Sequence, residues 1–466
     1  MLIQILKDQN TPGQETFLMR AVRMNHLQGV QRLLQAGAGF GKICNGKLAL
    51  HLAVVFADLR IISLLLANNA CVNLPDHVGD TALILATMRN DSEILNLLID
   101  NGALVNFKNR EGQTALLKAV SGKFTTSVRC LLERGADVSI IDQNGNTALI
   151  LASMNGSMDV VQMLTQAGAD VNMVNSEGET ALLAAVAGSR LETVNFLLDF
   201  NVDLNHKNKS GNSALIIAAE QNDVSCVEAL LARGADVNQI NTNGDTALMI
   251  GSAHGSVEMV KSLLFYEADA NLKDVYGNSS LVSCVARYTN VLSGEKACCE
   301  NFADFLEDEK PKLVLIIKSL IEASADVNDV TNREGNPVLF DVIRAGDLDL
   351  VKLFLPTADL EQRDLDGNTA AIVASEAGRL PILQELLGRG ACVNAANSSC
   401  LTALHKAIMM SDVDMVKTLI AAGAEVNLDD PDGNVYLNLA QSLDNTDVVE
   451  ALKTALGLQH DPMKVF

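Results

Sequence analysis

Apolar and polar positions recur on a helical period along this chain, and the pattern itself repeats. In the segment beginning at Thr246, Leu248 and Ala253 are predicted to line one short helix. Val257, Val260, Leu263 and Leu264 then give the i, i+3, i+6, i+7 face of a second. Thr ahead of the first helix supplies a hydroxyl that can cap orphan backbone amides. Glycine at the end of the second, as at Gly135, Gly168 and Gly234, permits the left-handed turn that stops it. The Asp-Val-Asn that follows, and a polar segment such as Asn238 to Gly244, read as a turn into the next unit. The predicted product is helix, tight turn, helix, projecting loop.

The unit reads Gly-x-Thr-Ala-Leu-x-x-Ala, a polar gap, then x-Val-x-x-Leu-Leu-x-x-Gly-Ala-Asp-Val-Asn. The capping position falls at Thr16, Leu48, Thr81, Thr114, Thr147, Thr180, Ser213, Thr246, Ser279, Pro337, Thr369, Thr402 and Val435, which number repeats 1 to 13 below. Nine of the twelve intervals are 33 residues, two are 32 and one is 58. A unit this short cannot bury a core alone, whereas a stack buries a continuous one between neighbours. The 466 residues, which by length would suggest about three domains, are therefore expected to form a single array.

The phased Gly-x-Thr-Ala-Leu and Gly-Ala-Asp-Val-Asn blocks resemble those of ankyrin-repeat proteins, from about Gln14 to about Leu456. The resemblance implies an all-α solenoid of helix-turn-helix units with projecting β-turn loops. The expected organisation is a capping segment 1–13, an array 14–456 and a tail 457–466. Two features depart from the family's Thr-Pro-Leu-His block. Ala replaces Pro in most units, and His survives only at His51 and His405. Its position is apolar at Ile84, Leu117, Ile150, Leu183, Ile216 and Met249, which removes the histidine that usually ties a loop in this family.

The 58-residue interval holds about 24 extra residues between two helices, 289–312, plus one before Gly335. Cys298, Phe302, Phe305 and Leu306 recur there at helical spacing, with Glu300, Asp304, Glu307, Asp308 and Glu309 between them. Two readings follow: lengthened helices covering their own apolar stripe, or an acidic docking element, since insertions in solenoids often carry function. Pro356 is expected to end a helix early and shorten its unit to 32 residues. The terminal units are atypical, as caps facing water on one side should be; the first lacks Gly before Thr16, and the last has Val435 and Asn438 where helix-start residues belong.

Composition narrows the function. The net charge of −22, with dispersed Lys and Arg, gives no positive stripe for a phosphate backbone, so nucleic acid is not an expected partner and basic or neutral proteins are favoured. No apolar run reaches the roughly 20 residues of a membrane span; the strongest, Leu313 to Ile321, is broken by Lys318. Met1 to Asp8 lacks the apolar centre and cleavage site of a signal peptide. Nine scattered cysteines without CxxC or zinc spacing read as free thiols of an intracellular, cytoplasmic or nuclear, protein. Adjacent Cys298 and Cys299 are poorly placed for a disulfide, and Cys71 and Cys392 occupy one repeat position.

No catalytic constellation emerges. Gly37 to Lys42 has the wrong spacing for a phosphate loop, and HExxH, GxSxG and kinase signatures are missing, so no enzyme, cofactor or metal is expected. Asp170, Asp236 and Asp326 share one repeat position and read as structural. Partner binding is what the resemblance implies, through an extended concave surface of loop tips and first-helix faces. Carried over position by position, that surface includes Met88, Arg89, Met154, Asn155, Glu220, Gln221, His254, Tyr276, Arg287, Met409 and Met410. The leading expectation is a non-catalytic scaffold or adaptor, monomeric alone, that binds other proteins. The alternative is a regulatory or targeting subunit of an enzyme complex such as a phosphatase or ubiquitin ligase. Separately, the spacing Leu-x5-Asp-Val-Asn places Asn172, Asn238 and Asn328 in a pattern resembling the target of the oxygen-dependent asparaginyl hydroxylase that modifies ankyrin repeats.

Overall fold

The computed structural model of the chain describes residues 16–38, 48–293, 302–331, 335–426 and 435–456. Segments 1–13 and 457–466, Gly39 to Lys42 and the insert residues Cys298, Cys299 and Glu300 lie outside these residues, as do the side chains of Phe302, Asp304, Phe305 and Leu306. The described residues form 26 α-helices, two per repeat. One antiparallel two-residue ladder, Val330–Thr331 against Asn336–Pro337, and an isolated bridge between Ala396 and Thr402 are the exceptions to an all-α fold among them. The chain divides into two compact units, Met1–Asp236 and Val237–Phe466.

In the N-terminal unit, repeats 1 to 7, each first helix packs on the first helices of its neighbours and on its own second helix. The shortness of these helices follows from that sandwich. In Ala181–Ala187 all residues from Ala181 to Val186 are buried, so nearly the whole circumference of one turn is core. A seven-residue helix is marginal by itself, and burial of this kind, about 1.5–3 kcal/mol per large side chain, supplies what propensity does not. The hydroxyls of Thr81, Thr114, Thr147 and Thr180 each accept from the amide three residues on, at 3.5, 3.3, 3.2 and 3.3 Å, as the sequence predicts. Second helices end at glycines in the left-handed region, Gly135 at φ 81° and Gly168 at φ 84°.

Where the repeat histidine is lost, the loops are closed by other groups. Ile84, Leu117, Ile150, Leu183 and Ile216 at that position are core residues, and Asn or Asp five residues before the cap organises the loop instead. Asn109 Oδ1 accepts from the Glu111 and Gln113 amides at 2.9 and 2.8 Å. Asp142, Asn175 and Asn208 repeat the arrangement. A short polar side chain that closes two backbone amides does locally what the imidazole would do. Its other end joins repeats, Asn109 donating to the buried Asp80 at 2.7 Å and Asn175 to Asn146 at 2.9 Å. Where His51 remains, Nδ1 accepts from the Leu48 amide and Nε2 donates to the Leu74 carbonyl at 3.0 Å.

In the C-terminal unit, repeats 8 to 13, the same first-helix stack recurs, and Asn241, Asp274, Asp364 and Asn397 organise the loops. Helix Ala247–His254 corrects one expectation. Ala247, Leu248, Met249, Gly251 and Ser252 are its buried residues, and Ala253 faces outward because only the opening turns are sandwiched. In repeat 9 both helices are long, Ser280–Ser293 and Phe302–Glu322, so insert residues extend the helices. Leu348–Phe354 ends two residues before Pro356 and is seven residues long, against nine in Leu380–Gly388 of the next unit.

Candidate functional site

Within each repeat, the residues seven and eight beyond the cap leave the core at the end of the first helix. Met88, Met154, Met409 and Met410 are exposed there, as are Glu220, Gln221 and His254. Tyr276 stands apart, exposed at the tip of a loop whose Asp274 caps its amide. The expected positions therefore form one row per unit plus a loop tip.

The row has two kinds of member. Arg89 donates to the Val54 and Ala57 carbonyls at 3.2 and 2.6 Å, Asn155 to Val120 at 3.5 Å, Gln221 to Ala187 at 2.8 Å and Arg287 to Ala253 at 3.1 Å. Each reaches back to carbonyls at the C-terminal end of the preceding first helix, which have no intrahelical partner. These four belong to repeats 3, 5, 7 and 9. In repeats 4 and 6 the same position is Gly122 and Gly188, and a Cβ on Gly188 would lie 2.6 Å from the Met154 carbonyl oxygen. The clamping role was missed in the sequence, although the signal is visible. Ala-Leu-Ile-Leu-Ala opens repeats 3 and 5 while Ala-Leu-Leu opens 4 and 6, a period of two repeats inside the single one. Glu220 instead accepts from Asn212 at 3.1 Å, and the methionines have no polar tie.

Sequence reasoning also passed over exposed apolar side chains in this row, Met24 and Phe56, and others elsewhere: Phe265 with Tyr266 at the end of a second helix, and Val275 and Leu365 at loop tips. The first two occupy repeats 1 and 2, where departure from the repeat consensus hid their equivalence to Arg89, Asn155 and Gln221.

Asn172 and Asn328 sit in a second ladder. Asn172 Nδ2 donates to the Asn201 carbonyl at 3.0 Å and its Oδ1 accepts from the Asp203 amide at 3.4 Å. Asn328 makes the same pair with Thr357 and Asp359, and Asn238 Oδ1 accepts from the Asp269 amide. Asn73 and Asn394 match them without belonging to the hydroxylation pattern. The asparagine thus has a structural task of its own, tying one loop to the next. Asp170 and Asp326 cap the amides of Asn172 and Asn328, in keeping with their structural reading.

The chemistry of the remaining polar groups is that of packing. Among the described residues no group of three His, Cys, Asp or Glu could hold a metal ion, and no helix is long and apolar enough to cross a membrane. Cys71, Cys130, Cys226, Cys284, Cys392 and Cys400 are free thiols, and burial pushes Cys226 and Cys284 up to about 12, which keeps them protonated and poorly nucleophilic. Between repeats 9 and 10, Tyr288 donates to Asp347 at 2.7 Å and Lys310 pairs with the same oxygen at 2.7 Å. Burial raises the Asp347 carboxyl, but Lys310, Tyr288 and the Leu350 amide outweigh it and hold it below the usual carboxylate range. Burial, with Asp347 alongside, pushes the Tyr288 phenol up.

Stacked helix pairs, Asx-closed loops and a row of outward side chains define a tandem repeat protein of the interaction class. Models of ankyrin repeats match in overlapping segments over residues 2–292 and again over 361–420, and the chain belongs to the ankyrin-repeat family. It is 34% identical over 154 residues to the B-cell lymphoma 3 protein homolog of Mus musculus, a match covering 32% of this chain and 34% of that protein. It is 33% identical over 146 residues to the putative ankyrin repeat protein YahD of Escherichia coli (strain K12), covering 30% of this chain and 72% of that one. The chain thus spans about a third of the length of the mouse relative. A crystal structure of the ankyrin repeat domain of Bcl-3, described as a unique member of the IkappaB protein family, aligns with TM-score 0.41 and 33% identity over 44% of this chain and 94% of that one. Ankyrin repeats mediate protein–protein interaction.

Proposed function

We propose that this protein is a non-catalytic scaffold or adaptor of a reducing intracellular compartment, and that it recruits partner proteins through the first-helix ends and loop tips of its repeats. The observation that carries this reading is the division of labour within each first helix: its opening turns are core, and only its end is free to vary. Met88, Met154, Glu220, His254, Met409 and Met410 therefore differ from repeat to repeat without cost to packing. Methionine adapts to irregular partner surfaces, and Tyr276 supplies an aromatic anchor at a loop tip. Free thiols at six described cysteines are in keeping with the compartment.

Proximity labelling and copurification from native cells would supply partners. Met88→Asp, Met154→Asp, Glu220→Lys and Met409→Asp together should release them, because these positions are exposed and, apart from the Glu220–Asn212 bond, free of polar ties. Arg89 and Arg287 are poorer probes, since replacing them also unties neighbouring repeats. Retention of every partner by the fourfold variant would refute the assignment of the face.

A further inference from the structure

The first helices of the N-terminal unit carry charge of the opposite sign to the chain. The net charge is −22, yet the first helices of repeats 1 to 6 contain no carboxylate; Glu220 in repeat 7 is the first. They carry Arg20, Arg23, Arg89 and Lys118, and Lys123 follows in a turn. Arg20, Arg23, Arg89 and Lys123 are exposed and Lys118 half-buried. Arg89 and Lys123 give their hydrogen bonds to backbone carbonyls and Lys118 to the Gln113 amide, all neutral acceptors. Apart from Glu220, the described carboxylates of the unit sit on its second helices, turns and loops, where Asp100 meets Arg134 and Asp199 meets Arg233.

Apolar side chains lie among these cations. Positions four, seven and eight beyond a cap share one helical face, which is Leu52 and Phe56 in repeat 2, Met88 in repeat 3, and Leu151 and Met154 in repeat 5. Phe56 and Met88 are 52% and 57% exposed, and it is their grouping on neighbouring first helices, rather than either exposure alone, that marks an interaction surface. Packed helices are about 8–10 Å apart, so apolar contacts are one such step apart between repeats 2 and 3 and two steps apart between repeats 3 and 5, with Lys118, Ser121 and Gly122 of repeat 4 in between. A partner α-helix returns an apolar residue to one side every seven residues, about 10.5 Å. An extended strand covers the same step in three residues and turns its side chain away.

We infer that this face receives an acidic amphipathic helix of a partner protein, with leucine-like residues on one side and Asp or Glu flanking them. The inference rests on the interaction reading above and fixes the chemistry of the partner. Overall charge favours a basic partner; the local surface selects an acidic one, and short-range charges decide because salt screens the rest within about 8 Å. Nucleic acid shares the negative charge but has nothing to bury against Phe56 and Met88.

Fluorescence anisotropy with the full chain tests this. The probe is a labelled peptide of three heptads, about 21 residues, with Leu at each apolar position and Glu, Ala and Gln elsewhere. Controls are the same peptide with Lys for Glu, the same with Ser for Leu, and duplex DNA as competitor. The Glu/Leu peptide should bind at least roughly tenfold more tightly than either control peptide, weaken as salt is raised, and resist DNA. Lys118→Glu with Lys123→Glu should cost it about tenfold or more, and Met88→Ser with Met154→Ser a similar factor, with far-UV circular dichroism unchanged. Preference for the Lys peptide, equal binding of the Ser peptide, displacement by DNA or no binding would each overturn the inference. Preference for the Lys peptide with a loss on Met88→Ser and Met154→Ser would leave the interaction reading standing; indifference to both serine substitutions would remove that reading as well.

Discussion

Two regions of the molecule solve the joining of neighbouring repeats differently. In repeats 3 to 7, joints are made by asparagine side chains and backbone groups, and the cross-repeat ion pairs Arg134–Asp100 and Arg233–Asp199 have carboxylates 63% and 66% exposed. Pairs that open to water contribute little, about 0–1 kcal/mol. From repeat 9 into repeat 10 the carboxylates are withdrawn. Asp329 meets Lys273 at 2% side-chain exposure and Asp347 meets Lys310 at 15%, while Glu309, also at 15%, pairs with Arg287 inside repeat 9 itself. A buried carboxylate is costly unless paired and hydrogen-bonded, and here each is. The contrast teaches that a strict 33-residue unit can be tied by neutral groups placed identically each time, whereas irregular units need groups whose reach tolerates imperfect register.

The sharpest break of that comparison is Asp347→Ala. It strands the buried Tyr288 hydroxyl, deprives Lys310 of its partner and removes the cap of Leu348–Phe354, and it should destabilise the C-terminal unit by about 2–4 kcal/mol. Hydrogen exchange should show the loss concentrated in repeats 9 and 10; uniform protection would mean the charges are ornamental there. Asn109→Ala in the regular region removes two loop closures and the donor to Asp80, and should cost about 1–3 kcal/mol, read as a shift of the urea midpoint. An equal or larger cost than at Asp347 would erase the distinction drawn above.

Acid should separate the regions further. The folded Asp347 has a lowered pKa, so the unfolded chain takes up its proton first; its stabilisation is full above the ordinary carboxylate value and is lost as pH falls through the folded one. His405 behaves likewise at higher pH. Burial holds it below 6.5, and its Nδ1 faces the Thr402 amide and the Tyr436 hydroxyl at 3.0 and 3.1 Å. Its contribution is full above 6.5 and disappears as pH drops through the lower folded value, so hydrogen-exchange protection, corrected for the intrinsic rate, should fall in repeats 12 and 13 on acidification below 6.5 while that of repeats 4 to 7 does not. The smallest effect belongs to Met88→Ser, under about 0.5 kcal/mol in stability, with its consequence confined to partner binding.

Much of this was legible in the sequence because a residue type and its task coincide. Thr81 is a cap, Gly135 is a left-handed stop, and both betray themselves by position. Ala253 did not, since helical spacing alone does not say which end of a short helix its neighbours cover. Repeat position carries Arg89, Asn155 and Gln221 to the partner-facing surface, yet their heads turn back to carbonyls of the preceding unit. A sequence records that a side chain leaves the core and not where its far end settles. The Asn109 class escaped for the opposite reason, as loop asparagine is so common that its bond across to Asp80 leaves no separate mark.

Asn271 holds one further consequence. It donates to the Ser324 carbonyl and accepts from the Asp326 amide, at separations of 53 and 55 residues, each 24 more than the spans from Asn172 to Asn201 and from Asn172 to Asp203. The extra chain of repeat 9 is thus passed over by the tie that links its flanking loops. The loop tie on this side is therefore unchanged by chain added at the interhelical turn, while the helices themselves meet repeat 10 through Tyr288, Lys310 and Asp347. A reporter inserted at the turn at Asn222 in repeat 7, which the Asn205 bond to Asp236 spans in the same way, should leave that bond in place.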